Sequence, residues 1–154
     1  MSNKNTILAL DQGSKISGYA IYSGGTLVAS GILKANTKDS SEDRMFTMAS
    51  QIERLIKDYA PQELVVEEPF AKVNLRVFQV MCELLGIVTY IGYKSGLKVS
   101  SYSAAVWRSR LGIKGKNRAE QKALAISTVK DSFQIDCTDD EAEAILIGYT
   151  HIKS

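Results

Sequence analysis

The chain has 154 residues, of which 45% are hydrophobic and 23% are charged, as in an ordinary globular protein with one sizeable core. No apolar stretch has the length of a membrane span and the start of the chain lacks a signal peptide's long apolar run, so we expect no membrane partner and a cytoplasmic location. The two cysteines, Cys82 and Cys137, lack metal-type spacing and are expected to be reduced thiols. We expect a single domain over residues 1–154.

The net charge of +2 is unevenly distributed along the chain. Between Lys94 and Lys122 eight basic residues are opposed by one acid, Glu120, which gives this basic segment a net charge of +7 and leaves −5 for the rest. Such asymmetry within one small domain indicates a surface that meets an anion, with nucleic acid as the leading candidate. The alternative is a lysine-rich face that only contacts solvent.

Three predicted strands open the chain, because its first segments are apolar, rich in β-branched and aromatic residues and separated by glycine-containing turns. These strands are expected over residues 6–12, 17–23 and 26–33. Gly24-Gly25 is a hairpin signal, so the second and third strands should be antiparallel. Apolar residues then recur at helical spacing after a start signal made by Ser40 and Asp43, which predicts a helix over about 41–59.

Strands and helices alternate in the rest of the chain, which implies parallel pairing and right-handed crossovers. Pro69 is expected to begin the helix over about 70–93. The apolar arc of that helix is wider than one sheet face needs, so part of it is expected to bury against a second subunit. The other expected elements are strands over 63–68 and 97–102, helices over 104–111, 118–132 and 139–151, and loops over 112–117 and 135–138. Together these elements predict an α/β fold with a five-stranded mixed sheet flanked by helices.

Four carboxylates stand out by their positions. Asp11 and Glu67 each end an apolar strand, where an unpaired charge is costly. Asp140 and Glu143 lie three residues apart near the start of the last helix, on its apolar side. Simpler explanations exist for each group, since Asp often starts a turn and acids in a first helical turn are favoured by the helix dipole.

Bringing four carboxylates together is strongly repulsive unless cations lie between them. Mg²⁺ and Mn²⁺ prefer such all-oxygen ligands, and two of these ions about 4 Å apart can activate a water and stabilise the leaving oxygen in phosphodiester cleavage. An acidic pocket beside the basic segment therefore predicts a metal-dependent nuclease.

Three short motifs resemble those of the RuvC family of Holliday junction resolvases, in particular its compact, phage-type members. The motifs are Leu10–Ser14 with Gly18-Tyr19, Val66–Phe70, and Asp140–Ala144. The resemblance implies an RNase H-like fold and an endonuclease that resolves four-way and related branched DNA with symmetric nicks. It also implies a homodimer packed through the helix over about 70–93, and a location in the host cytoplasm if the chain is phage-encoded. The sequence does not determine whether a branch-migration motor is a partner.

By the same resemblance Asp11, Glu67, Asp140 and Glu143 would be the catalytic and metal-binding carboxylates, with two Mg²⁺ ions per active site or Mn²⁺ in their place. The family commonly ends this set with Asp-x-x-Asp, whereas this chain has Glu143. Glu68 competes with Glu67, because successive strand residues face opposite ways and only one of them should point at Asp11. The family pattern favours Glu67.

The resemblance also indicates residues that would contact DNA. Phe70 lies where the family carries an aromatic that stacks at the open junction centre, and the alternative is a core phenylalanine in the first turn of a helix. Arg118 lies where family members keep a basic residue that could also stabilise the transition state. The expected phosphate contacts, which would position the junction without reading its sequence, are Lys72, Arg76, Lys114, Lys116, Arg118 and Lys122.

Two single-copy residues receive structural interpretations. His151 lies eleven residues after Asp140, about 16 Å along an ideal helix, so it is too distant to act beside the metals and is expected at the surface. Trp107 is expected to be a core anchor, with base stacking as the alternative.

Two other functions remain open from the sequence. A non-catalytic branched-DNA-binding protein would share the basic segment, but it would bind phosphates better without the four acids. The segment Ala9–Gly13 also resembles the first strand of actin-like sugar kinases, which clamp ATP between two such domains. A chain of 154 residues cannot supply both of those domains.

Overall fold

The computed structural model describes residues 4–71 and 74–154, and in that part of the chain five strands form one mixed sheet. The strands are β1 (Thr6–Asp11), β2 (Ile16–Ser23), β3 (Thr26–Lys34), β4 (Glu63–Glu67) and β5 (Lys98–Tyr102). Their order across the sheet is β3-β2-β1-β4-β5, with antiparallel pairing from β3 to β1 and parallel pairing from β1 to β5. The predicted five-stranded mixed sheet is confirmed.

Within the same described residues, five helices flank this sheet. They are α1 (Ser41–Tyr59), α2 (Leu75–Lys94), α3 (Ala104–Arg110), α4 (Arg118–Phe133) and α5 (Asp139–Lys153). The bounds of α1 agree with the prediction, and Ser40 caps this helix by accepting a hydrogen bond from the backbone N–H of Asp43. The strong helical periodicity and the cap together made α1 predictable.

Helix α2 begins later than predicted. Asn74 caps it by accepting hydrogen bonds from the backbone N–H groups of Arg76 and Val77, so the helix starts at Leu75 and Pro69 does not begin it. An Asn side chain that accepts hydrogen bonds from the free N–H groups of the first turn favours a helix start more strongly than a proline, which only lacks a backbone N–H group. Lys72 lies outside the described residues.

The outer side of α2 is unusually apolar. Its inner side packs on the sheet through Val80, Leu84, Val88 and Ile91, whereas Leu75, Tyr90 and Tyr93 are exposed on its outer side. By length and composition alone α2 could cross a membrane, which corrects the expectation that no stretch is long enough. Since the core helix of a soluble protein passes the same test, this feature is weak evidence for a span.

Strand β1 lies at the centre of the fold and is buried on both faces. Leu8 and Leu10 contact the layer formed with α1 and α2, while Ile7 and Ala9 contact the layer formed with α3, α4 and α5. The alternation follows from the two-residue period of a strand. Asp11 therefore ends a strand that is fixed from both sides.

His151 is not the surface residue that was expected. Its Nε2 lies 3.1 Å from Glu63 Oε1 and its Nδ1 lies 2.9 Å from the Tyr102 hydroxyl oxygen, and its side chain is only 14% exposed. The last turn of α5 thus packs against β4 and β5 instead of extending into solvent. Burial raises the pKa of Glu63, but hydrogen bonds from Asn5 and His151 outweigh it and hold that pKa below its ordinary value.

Gly18 allows α5 to approach the sheet next to Asp11. It pairs with Asp11 across β1 and β2, and a Cβ added at Gly18 would lie 1.8 Å from the carbonyl oxygen of Asp140. No side chain fits between β2 and the start of α5 at this point. The absence of a side chain at position 18 therefore sets where the acids of α5 lie.

We expect Gly18→Ala to lower the free energy of unfolding by about 1–3 kcal/mol or more, because the added methyl group must displace the backbone of α5. Gly86→Ala is the matched control, since a Cβ there meets nothing within 4 Å. In the helix interior this control should be stabilising by about 0.5–1 kcal/mol. Urea unfolding measures both, and equal stability of Gly18→Ala and the wild type would contradict the proposed close packing.

Candidate functional site

Three of the four carboxylates singled out from the sequence converge. One carboxylate oxygen from each of Asp11, Glu67 and Glu143 lies within 4.8 Å of the other two, and we call this group the carboxylate cluster. Asp11 and Glu67 follow the paired residues Leu10 and Val66, so the parallel strands β1 and β4 deliver them to the same edge of the sheet. Glu143 is buried one turn into α5, which packs against β1 and β2.

Asp140 lies beside the carboxylate cluster and is not one of its members. It lines the same cavity of about 400 Å³ as Asp11 and Glu67, and its charge contributes to the raised pKa of Asp11. Burial, together with the charges of Asp139 and Glu143, raises the pKa of Asp140 as well. Asp11, Glu67 and Asp140 therefore line one cleft, and Glu143 lies buried next to Asp11 and Glu67.

The carboxylate cluster is electrostatically strained. Desolvation raises the pKa of Asp11 well above its ordinary value, and the charges of Glu67 and Glu143 raise it further. Desolvation also raises the pKa of Glu67 to about 7, although a hydrogen bond from Trp107 opposes that rise. Both shifts report the cost of holding these carboxylates together without an intervening positive charge.

The donor set fits a hard divalent cation. Its members offer only carboxylate oxygens, which Mg²⁺ and Mn²⁺ prefer. Next to Asp11, the side-chain oxygen Oε1 of the buried Gln12 has no hydrogen-bond partner among residues 4–71 and 74–154. A buried acceptor without a donor is costly, so the surroundings of the cluster favour a cation.

Two residues that were not predicted as site residues contact the carboxylate cluster. Trp107 Nε1 donates a hydrogen bond to Glu67 Oε2 at 2.6 Å, and Arg108 Nη2 lies 3.2 Å from Glu143 Oε1. Trp107 is fully buried, which confirms the prediction of a core anchor and excludes base stacking. Their positions in the sequence could have indicated this contact. Both residues lie in a short helix directly after β5, and the end of β5 lies next to the end of β4.

The alternation along β4 separates Glu67 from Glu68. Glu68 is exposed and accepts a hydrogen bond from Ser101 Oγ at 2.9 Å, whereas Glu67 points at Asp11. Glu68 therefore lies outside the carboxylate cluster, although it lines the cavities beside it.

Several predicted DNA contacts line cavities that meet at Glu67. The 400 Å³ cavity reaches Phe70 and Arg118, and a second cavity of about 610 Å³ is lined by Glu67, Phe70, Lys114 and Arg118. Phe70 is 75% exposed and precedes α2, so the alternative of a core phenylalanine in a first helical turn is wrong. Arg118, at the start of α4, lowers the pKa of Glu67 through its charge.

The other predicted phosphate contacts differ in their surroundings. Lys116 is exposed in the loop before α4. Lys122 Nζ lies 3.1 Å from Asp139 Oδ2. Arg76 donates a hydrogen bond to Ser41 Oγ at 3.0 Å and lines a third cavity, of about 520 Å³, together with the unpredicted Lys15 and Arg44. The predicted contacts therefore lie on both sides of the carboxylate cleft, and those at positions 76 and 122 already have partners.

Comparisons with known sequences identify one family. The family model described as crossover junction endodeoxyribonuclease RuvC matches residues 7–151. The RuvC protein of Fusobacterium nucleatum is 26% identical over 157 aligned residues, which cover 96% of this chain and 80% of that protein. The RuvC protein of Methylococcus capsulatus is 30% identical over 118 residues, which cover 75% of this chain and 70% of that protein.

Solved structures share the fold. Thermus thermophilus RuvC in complex with a Holliday junction substrate matches with a TM-score of 0.75 at 15% identity, covering 96% of this chain and 92% of that chain. The yeast mitochondrial Holliday junction resolvase matches with a TM-score of 0.63 at 14% identity, covering 97% and 79% of the two chains. The fold is therefore RNase H-like, as expected.

The raised pKa of Glu67 predicts how stability depends on pH when divalent cations are absent. Because the folded carboxyl keeps its proton to about pH 7 while the unfolded one loses it near 4.5, the free energy of unfolding should fall as the pH rises between these values. Glu67→Gln should flatten this profile and be more stable than the wild type at pH 8.

Urea unfolding in EDTA across this pH range measures the effect, with Glu68→Gln as the exposed neighbouring control. That control should retain the wild-type profile. An unchanged profile in Glu67→Gln would show that the folded protein does not hold Glu67 in a strained environment.

Proposed function

The chain belongs to the RuvC family of crossover junction endodeoxyribonucleases, and we propose that it resolves four-way DNA junctions and related branched DNA by metal-dependent hydrolysis of phosphodiester bonds. The observation that carries this proposal is the carboxylate cluster, whose oxygens lie within 4.8 Å of one another in a cleft bordered by Arg118. Such a cleft has acids to hold cations and bases to hold phosphates.

Asp11, Glu67 and Glu143, with Asp140 at the edge of the cleft, would hold Mg²⁺, or Mn²⁺ in its place, with two ions per active site. When bound, such ions supply an activated water and stabilisation of the leaving oxygen. The residues of the chain supply placement: two rigid parallel strands and α5 bring the carboxylates to one point. Arg118, which lines both cavities next to Glu67, would contact the phosphate next to the bond that is cleaved.

Phe70 and the basic side chains would position the junction. The exposed ring of Phe70, beside the cleft, is suited to stack on a base at the open centre of the junction. Exposed Lys114 and Lys116 are suited to bind phosphates directly. When DNA binds, Arg76 would leave its ion pair with Glu42 and Lys122 would leave its ion pair with Asp139, and both would contact phosphates instead. Lys72, outside the described residues, is included on its sequence position alone.

We also propose that two copies assemble through α2. The exposed apolar residues on the outer side of that helix would be buried in a homodimer, and two active sites are needed for symmetric nicks. Each copy would act as one nuclease domain over residues 1–154 in the cytoplasm.

The alternative functions are less well supported. A protein that only binds branched DNA gains nothing from a buried carboxylate cluster, because these acids repel the phosphates that it must hold. An actin-like kinase domain is not favoured, since the RuvC family model already accounts for residues 7–151.

Cleavage of a labelled four-way junction in Mg²⁺ tests the proposal. Wild type should nick two opposing strands symmetrically, and Asp11→Asn should lower the cleavage rate by a factor of about 10²–10³ or more, as expected for loss of a group that stabilises the transition state. Binding of the junction should change only a few-fold, because this substitution also removes a repulsive charge.

Glu53→Gln, which changes an exposed acid on α1 away from the cleft, should cleave like the wild type. If wild-type protein binds the junction but never nicks it symmetrically, the assignment as a resolvase fails. Phosphorylation of a sugar by ATP would instead support a kinase.

The salt dependence of junction binding tests the phosphate contacts. Lys114→Ala and Lys116→Ala should each weaken binding and reduce the slope of log K against log salt by about 1. Lys130→Ala is the matched control, because Lys130 lies in the last turn of α4, at the opposite end of that helix from Arg118. Slopes that equal the wild-type value in both loop variants would exclude these lysines as phosphate contacts.

A further inference from the structure

Trp107 has a feature that the proposed chemistry does not use. It is the single tryptophan of the chain and is fully buried, and its indole N–H donates to Glu67 Oε2 at 2.6 Å. An indole can only donate. A hydrogen bond of this length is strong when its acceptor is an ionised carboxylate.

The carboxylate of Glu67 has physical reasons to leave the cluster when no cation is bound. The charge of Glu143 repels it, and burial disfavours its ionised form. A glutamate side chain also gains conformational entropy when its rotamers are free. The hydrogen bond from the Trp107 indole N–H, at 2.6 Å, opposes this movement of the carboxylate.

We propose that Trp107 is a positioning residue for cation binding, whose indole N–H holds the Glu67 carboxylate toward Asp11 and Glu143 before a divalent cation arrives. This inference rests on the proposed function only in taking Glu67 as a cation ligand. Partners of this kind, which contact a ligand and not the metal, commonly change metal affinity by about 10–100-fold.

The indole itself is firmly held. Ser103 caps α3 by accepting a hydrogen bond from the backbone N–H of Val106, and Trp107 packs in the apolar layer formed with α4 and α5. The Arg108 guanidinium carbon lies 5.0 Å from the centre of the indole ring while the same group contacts Glu143. Because the ring cannot follow Glu67, it can fix the orientation of that side chain.

A purely structural role makes a different prediction. If Trp107 only fills the core and uses Glu67 as a convenient acceptor, its loss should lower stability without changing the affinity of the folded protein for cations. A variant that keeps an aromatic ring but lacks the donor separates the two roles.

Trp107→Phe is that variant, and calorimetric titration of the DNA-free protein with Mg²⁺ or Mn²⁺ is the measurement. We expect cation affinity to fall about tenfold. Tyr22→Phe is the matched control: Tyr22 is 1% exposed in the same apolar layer and its hydroxyl donates to the Ile145 carbonyl at 2.6 Å. This control loses a buried donor too, but its cation affinity should equal that of the wild type.

Tryptophan fluorescence provides a second measurement that does not depend on the folding of Trp107→Phe. With one indole per chain, Mg²⁺ should change the emission of wild-type protein, and Glu67→Gln should abolish that change at the same concentrations. The inference is overturned if saturating Mg²⁺ leaves the wild-type emission unchanged, or if Trp107→Phe binds cations as tightly as the wild type.

These outcomes also separate the inference from the proposed function. Equal cation affinity in wild type and Trp107→Phe overturns the positioning role while cation binding, and with it the nuclease, stands. A wild-type protein that binds neither Mg²⁺ nor Mn²⁺ overturns both.

Discussion

Repulsion among Asp11, Glu67 and Glu143 is the constraint to which the rest of the structure responds. The three carboxylates lie within 4.8 Å of one another and cannot separate by moving their backbones. Asp11 ends a strand that is buried on both faces, Glu67 ends its parallel neighbour, and Glu143 lies on a helix packed over both β1 and β2. Burial and mutual charge raise the pKa of Asp11 and Glu67 as a result. The packed strands and α5 thus hold the three carboxylates close together, whereas free carboxylates in solution would stay apart unless a cation bound them.

Helix α3 provides the partners that make this arrangement tolerable. Trp107 donates to Glu67, and Arg108 forms with Glu143 an ion pair in which the two side chains are 11% and 2% exposed. Removing one partner of such a buried pair typically costs about 3–5 kcal/mol, because it leaves a buried charge uncompensated. A helix of seven residues therefore contributes both to stability and to the placement of two carboxylates.

Local patterns predicted the parts of the fold and site that depend on local structure. The bounds of α1 follow from periodicity and the Ser40 cap, and the meeting of Asp11 and Glu67 follows from parallel strands that end at one edge. The parts that depend on tertiary contacts were not predictable. The partners of His151 come from β4 and β5, and the orientation of Trp107 toward Glu67 depends on how α3 docks. The predicted start of α2 was wrong for a local reason, because the helix is capped by Asn74 and does not begin at Pro69.

The basic segment serves two purposes that a count along the sequence cannot separate. Arg108 neutralises the buried Glu143, so its charge is used inside the protein, whereas the ion pair between Lys122 and Asp139 lies at the surface. Lys114 and Lys116, in the loop before α4, are exposed. The net charge of +7 therefore overstates the number of phosphates that the segment can bind. These ion pairs also explain why acidic residues can crowd the start of α5. The neighbouring helices α3 and α4 supply basic side chains, which compensate the negative charge that the helix dipole alone would not balance.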